Sequence, residues 1–204
     1  MKSYSLTTLF AIGSLYATAA TGQQNTVLPD YPNSYEIVRD VVEMPAGRQM
    51  GSGNAIDIDS RGNVWVFERC GGNNGACPES DVYPVLQFSP EGKLLSSFGS
   101  GLFVWPHGIV VDGDDNLWII DAGVIEGEKG NQIFKFTQDG TLLLELGEPG
   151  VRGDGPGQFN EPSDLAFGPD GTLYILDGHI NPDSNRRIVH MTAEGDFIES
   201  WGSK

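Results

Sequence analysis

Positive charge is scarce in this sequence. Its 204 residues carry 12 Lys+Arg against 28 Asp+Glu, a formal net charge of −16. Such a chain repels phosphate backbones instead of releasing their counterions, which argues against nucleic acid as a partner. Cysteine is nearly absent, with only Cys70 and Cys77, and there are just three histidines, His107, His179 and His190. Two cysteines without a neighbouring histidine pair make a poor zinc site. No N-x-S/T sequon occurs, so no N-glycan is expected. Long apolar runs and helical periodicity are missing too. Yet 39% hydrophobic and 20% charged residues are proportions of a folded chain. Glycine is plentiful: 28 residues, with 12 prolines and 10% aromatics. That combination implies many short strands joined by turns.

Residues 1–22 read as an export signal. Lys2 is followed by the uncharged stretch 6–20, LTTLFAIGSLYATAA, with cleavage motifs at Ala17-Thr18-Ala19 and Ala20-Thr21-Gly22. The stretch is interrupted by Thr and Ser and falls short of the roughly 20 apolar residues of a spanning helix. The expectation is a mature chain that is secreted, or periplasmic in a bacterium, with no membrane span. An oxidising compartment permits a disulfide between Cys70 and Cys77, pinning the loop CGGNNGAC. Two free thiols are the alternative.

One unit is written three times. AIDIDSRGNVWVFE (55–68), GIVVDGDDNLWIID (108–121) and DLAFGPDGTLYILD (164–177) align without gaps. Each alternates apolar residues, turns on Asp, Gly or Asn, and runs into a β-rich segment that ends in Glu68, Asp121 or Asp177. A second half comes after it in PVLQFSPEGKLLSSFG (84–99), QIFKFTQDGTLLLELG (132–147) and RIVHMTAEGDFIESWG (187–202). Each unit is therefore four antiparallel strands, and the turn positions Asp59, Asp112 and Gly168 lie 53 and 56 residues apart. That is the period of a β-propeller blade. The fold predicted is all-β, with blades at approximately 46–101, 102–149 and 150–204 after an N-terminal segment, 23–45, that contains a candidate ring-closing strand at 35–45. The extra length lies between second and third strands, at 69–83, 122–131 and 178–186.

Propellers close with roughly four to eight blades. Three blades of an expected six leave blade faces open, and exposed apolar faces invite association. The expectations, in order, are a piece of a longer protein, a dimer that completes the ring, and a stable half-disc.

The alignment singles out Asn54, His107 and Ser163, each opening an innermost strand at the mouth of the central channel. Side chains from different blades can converge there on one ligand or metal. For His107, a hydrogen-bonded channel histidine is the alternative. Arg69 follows Glu68 and precedes Cys70; it is a candidate carboxylate clamp, unless it is solvated or paired with Glu68. His179 lies at the matching edge of the third blade, a candidate base or ligand, while His190 in a third strand reads as a surface residue. Two motifs are set aside. Asp112-Gly113-Asp114-Asp115-Asn116 resembles an EF-hand start but has Leu117 where the loop requires Gly, and it coincides with a hairpin turn. Arg152-Gly153-Asp154 sits in a blade-linking loop.

GDGPGQFNEPSDLAFGPDGTLYILDG and RRIVHMTAEGDFIESWG resemble NHL-repeat propellers. GLFVWPHGIVVDGDDNLWIIDAG with NQIFKF resembles, more narrowly, the peptidyl-α-hydroxyglycine α-amidating lyases, through F-x-x-P-H-G, the F-x-R that ends the first blade's second strand, and the D-G-H of the third blade. The resemblance spans about residues 45–202. It implies a six-bladed propeller that cleaves peptidyl-α-hydroxyglycine to a peptide amide and glyoxylate, with a zinc held by three histidines and a structural calcium. By resemblance His107 is the first zinc ligand, the carbonyls of Ile56 and Ile109 are calcium ligands, and Arg69 binds the substrate carboxylate. The sequence departs from that pattern in three ways. His179 stands where the family has a tyrosine, Cys70 and Cys77 lie away from the family's third-blade pair, and the other zinc histidines belong to later blades. The alternative function is a non-catalytic secreted propeller that binds a peptide, sugar or protein. A calcium-dependent ester or lactone hydrolase is a weaker reading, because no ring of acids and Asn is evident.

Overall fold

The structure, a computed structural model, describes residues 35–39, 41–72 and 77–203. The expected export signal, and residues 23–34 of the segment after it, lie outside these. The chain divides into two compact units, Met1–Ile37 and Val38–Lys204. Of the first only 35–37 are described, without regular structure. The second holds every named strand.

Twelve strands and no helix make up the described residues, and none of them forms a helix long and apolar enough to cross a membrane. The first sheet holds β1 (Gly53–Ile58), β2 (Val64–Glu68), β3 (Val85–Phe88) and β4 (Leu94–Phe98). The second holds β5 (Pro106–Val111), β6 (Leu117–Ile125), β7 (Lys129–Phe136) and β8 (Leu142–Leu146). The third holds β9 (Pro162–Phe167), β10 (Leu173–Asp177), β11 (Arg186–Met191) and β12 (Phe197–Ser203). Each sheet is antiparallel in chain order, which is the four-stranded blade the repeat predicts. The innermost strands adjoin, β1 against β5 and β5 against β9.

The first hairpin of each blade is set by a short polar code. Asp59 accepts the Asn63 backbone and side-chain N–H groups at 2.9 Å each and the Trp65 indole N–H at 3.3 Å. Asp112 repeats this with the Asn116 backbone N–H at 2.9 Å and the Trp118 indole at 3.1 Å, and adds the Lys135 ammonium at 2.9 Å. Asp112, the first of the acids that resemble an EF-hand start, is thus occupied within a hairpin turn, and Asp115 accepts from Ser60 of the first blade. Its own donors hold Asp59 down to about 2 against the opposing effect of burial. In the third blade Gly168 and Tyr174 replace the acid and the indole, and Asp170 accepts Thr172 instead, at 3.2 Å from the backbone and 2.7 Å from the hydroxyl.

Apolar residues fill both junctions between blades. Trp65, Phe67, Phe103, Ile119 and Phe134 pack between the first and second. Trp118, Ile133, Phe159, Leu173 and Val189 pack between the second and third. Phe103 meets Phe67 edge-on at 4.9 Å and Phe134 at 5.7 Å, and is fully buried. On the other side of the first blade Val42, Met44 and Met50 lie against Val66, Leu86 and Phe88. Residues 41–45 form no named strand; Glu43 makes an isolated parallel bridge to Lys93.

Two details differ from the expectations. Residues 122–131 are not a plain loop: β6 and β7 extend into them and pair as far as Ile125 with Lys129. His190 is also no open surface residue. Its ring stacks on Tyr174 at 4.3 Å and on Trp201 at 5.7 Å, leaving the side chain 13% exposed.

Candidate active site

The acid at the matching place in each second strand fixes the segment entering its blade, ending β2 and β10 and lying inside the longer β6. Asp121, fully buried, accepts backbone N–H groups from Val104 at 2.8 Å, Trp105 at 2.6 Å and Gly123 at 3.2 Å. Asp177 accepts Asn160 N–H at 2.8 Å and pairs with buried Arg187 at 2.8 Å. Glu68 accepts Gly51 and Gly71 N–H at 2.7 and 2.8 Å and pairs with Arg48 at 2.6 Å. The F-x-x-P segment now has a physical reading. Phe103 is the apolar anchor, the next two N–H groups go to Asp121, and the chain arrives at His107 in a fixed place.

At that place every inner strand carries a β-bulge. The register against the second strand shifts between Gly53 and Ala55, between Pro106 and Gly108, and at Pro162–Asp164 opposite Leu176 and Asp177. The extra residues are Asn54, His107 and Ser163, the three that the repeat alignment brings together. A bulge re-aims the side chain it carries. Here successive blades are joined by it: Asn54 Nδ2–H donates to the His107 carbonyl at 2.6 Å, and His107 Nδ1 lies 2.8 Å from the Ser163 carbonyl. The Ser163 hydroxyl donates within its own blade, to Gly178 O at 2.9 Å.

Arg69, His107 and His179 converge above this line. A cleft of about 530 Å³ is lined by Asn54, Ile56, His107, Ile109, Ser163 and His179, among others. The two imidazoles stand edge to face, with centroids 4.5 Å apart. Trp105 is the common neighbour, 5.9 Å from the His107 ring, 5.2 Å from the His179 ring and 5.0 Å from the Arg69 guanidinium carbon. Trp105 was not singled out from the sequence. Arg69 is not paired with Glu68, whose carboxylate is taken by Arg48. It donates instead to Asn54 Oδ1 at 2.8 Å, and its Nε is buried without a hydrogen-bond partner among the described residues. Cys70 and Cys77 are disulfide-bonded, with Cα atoms 5.6 Å apart. Beyond the bridge, Cys77 N–H donates to the Val104 carbonyl at 2.7 Å, next to Trp105.

The surroundings of His107 favour its neutral imidazole. Burial, above all, pulls the His107 pKa down; the Ser163 carbonyl opposes this, and His179 and Arg69 reinforce it. Because a carbonyl only accepts, His107 carries its proton on Nδ1, and its Nε2 lone pair meets no donor among the described residues. Burial also lowers the Arg69 pKa. A catalytic zinc takes about three protein ligands. His107 fits that role and His179 is its neighbour, but among the described residues no group of three or more His, Cys, Asp or Glu is placed to hold a metal. Ile56 and Ile109 line the cleft from the inner strands of adjacent blades. Two carbonyls are fewer than the about six oxygens that calcium requires.

The class defined by these blades is the β-propeller. The chain is similar in fold to virginiamycin B lyase from Staphylococcus aureus, with a TM-score of 0.50 at 15% identity over 78% of this chain and 43% of that one. No family model matches. More particularly, the chain resembles the amidating lyases and an NHL-repeat protein. It is 29% identical over 171 residues to peptidyl-alpha-hydroxyglycine alpha-amidating lyase 1 of Drosophila melanogaster, covering 76% of this chain and 30% of the relative. It is 32% identical over 157 residues to NHL repeat-containing protein 3 of Mus musculus, covering 74% of this chain and 41% of the relative. The chain thus spans less than half the length of each.

Proposed function

We propose that this protein is an exported, amidating-lyase-like propeller whose cleft takes a peptidyl-α-hydroxyglycine and releases a peptide amide and glyoxylate. The observation that carries the reading is the convergence of Arg69, His107 and His179 around Trp105. Arg69 receives the substrate carboxylate. His179 accepts the proton of the α-hydroxyl, whose oxygen becomes the aldehyde oxygen of glyoxylate as the C–N bond breaks. The departing nitrogen takes a proton and leaves as the amide. Neutral His107, with Nε2 unprotonated, is the residue that would hold a zinc, in company with donors from outside the described residues, so no step is routed through that metal. The carbonyls of Ile56 and Ile109 are proposed for a structural calcium on the same terms.

The test is glyoxylate release from α-hydroxyhippurate by the longest native form of the protein and by this chain alone. Turnover that falls at least tenfold in His179→Ala and Arg69→Gln supports the reading. Turnover indifferent to both removes it. A second reading has its own support, in that three metal donors do not assemble in one place among the described residues. On that reading the protein is a secreted binder of carboxylate-terminated peptides, or it associates with itself through open blade faces. Peptide binding without glyoxylate, unaffected by chelators, would select the binder.

A further inference from the structure

We infer that Asn54 is the positioning residue that makes Arg69 a receptor for anions, by orienting its guanidinium without neutralising it. This rests on the reading of Arg69 as the carboxylate site. Arginine can only donate, so the Arg69 bond at 2.8 Å requires the oxygen of the Asn54 amide. The His107 carbonyl can only accept, so its contact at 2.6 Å requires the amide nitrogen. The two partners together fix the amide in a single orientation. They also tie the carboxylate receptor of the first blade to the histidine of the second through one side chain. The bulge at Asn54 places that side chain between them.

The amide's neutrality is the second half of the argument. Where Arg48 and Arg187 face Glu68 and Asp177, Arg69 forms no ion pair with a described residue. Among the described residues its side chain meets an uncharged amide and the Trp105 face, and its buried Nε has no hydrogen-bond partner there. A half-buried guanidinium without a counterion favours an incoming carboxylate, which forms charge-assisted hydrogen bonds with it. Aspartate at position 54 would supply the counterion from within. It would also set a carboxylate oxygen against the His107 carbonyl.

The test uses hippurate as an anionic probe and its neutral counterpart, hippuramide, in titration calorimetry with the full chain. The wild-type protein is expected to bind hippurate in preference to hippuramide. Asn54→Asp should weaken hippurate at least tenfold and leave hippuramide within twofold. Asn54→Ala, which removes the orientation but adds no charge, should weaken hippurate several-fold. In an Arg69→Gln background Asn54→Asp should have no further effect, which separates positioning from misfolding. Equal hippurate affinity in the wild type and Asn54→Asp overturns the inference, and so does the same loss with and without Arg69. Failure of the wild type to bind hippurate overturns it too. Hippurate binding with no glyoxylate release from α-hydroxyhippurate by the longest native form leaves this inference standing and removes the lyase.

Discussion

The imidazole of His107 reaches from one blade to the main chain of the next, its Nδ1 lying 2.8 Å from the Ser163 carbonyl. That contact decides which nitrogen carries the proton, and so which lone pair faces the cleft. Proton-detected NMR should show His107 as the Nδ1–H tautomer at neutral pH. Its titration should lie below the ordinary imidazole range, because burial disfavours the cation. The folded protein then holds fewer protons here than the unfolded chain, so this group's contribution to stability is complete above about pH 6.5 and declines as pH falls toward the folded pKa. An Nε2–H tautomer, or titration above the ordinary range, would contradict the geometry.

Asp121 should prove costly to change. Asparagine keeps the shape but puts an NH2 group, which accepts nothing, where Val104, Trp105 and Gly123 now donate to two oxygens, whereas a protonated carboxyl still accepts on its hydroxyl oxygen. A loss of about 1–3 kcal/mol is expected for Asp121→Asn by urea unfolding at pH 4. Burial raises the Asp121 pKa to about 6. A raised carboxyl binds more protons folded than unfolded, so its stabilisation is full below about pH 4 and fades as pH rises through about 6. The wild type's advantage over the variant should therefore shrink between pH 4 and 7. A constant difference would show that the group does not titrate in that window.

The disulfide should matter to the site as well as to the fold. Cys70 follows Arg69 directly, and Cys77 N–H holds the Val104 carbonyl at 2.7 Å. The paired variant Cys70→Ser, Cys77→Ser is expected to lose about 2 kcal/mol of stability, as closure of a short loop implies. Hippurate affinity should fall with it, because the bridge ties the residue after Arg69 to the segment that carries Trp105. Unchanged affinity would mean that Asn54 and Trp105 suffice to hold Arg69.

Much of this was legible beforehand. Gap-free repeats declared the blades, and the same alignment grouped Asn54, His107 and Ser163 before any coordinate did so. The matched ends of the first and third blades put Arg69 and His179 on one face. Trp105 was not legible, because its counterparts in the alignment, Ser52 and Glu161, share no chemistry with it. Nor was the role of Glu68, Asp121 and Asp177, since an acid in a strand gives no hint of which backbone it will receive. The fate of Arg69 hung on Arg48, which lies 20 residues from Glu68 and claims it at 2.6 Å.

Phe103 should carry more weight than its place in a connecting segment suggests. It is fully buried between two blades and touches Phe67 and Phe134. Phe103→Ala is expected to cost about 3–5 kcal/mol. Leu143→Ala, at a site 50% exposed, should stay within about 0.5 kcal/mol. Thermal unfolding of the two variants side by side checks the contrast.

The bulge contacts also bear on how such a molecule diversifies. In each, the donor is a side chain and the acceptor is a main-chain oxygen, which every amino acid possesses. A blade copied by gene duplication can exchange its bulge residue, which is Asn, His or Ser in the three blades here, without requiring a matching change in the blade before it. Lineages of such proteins can thus acquire new chemistry at the channel mouth one codon at a time, while the seams between blades stay closed.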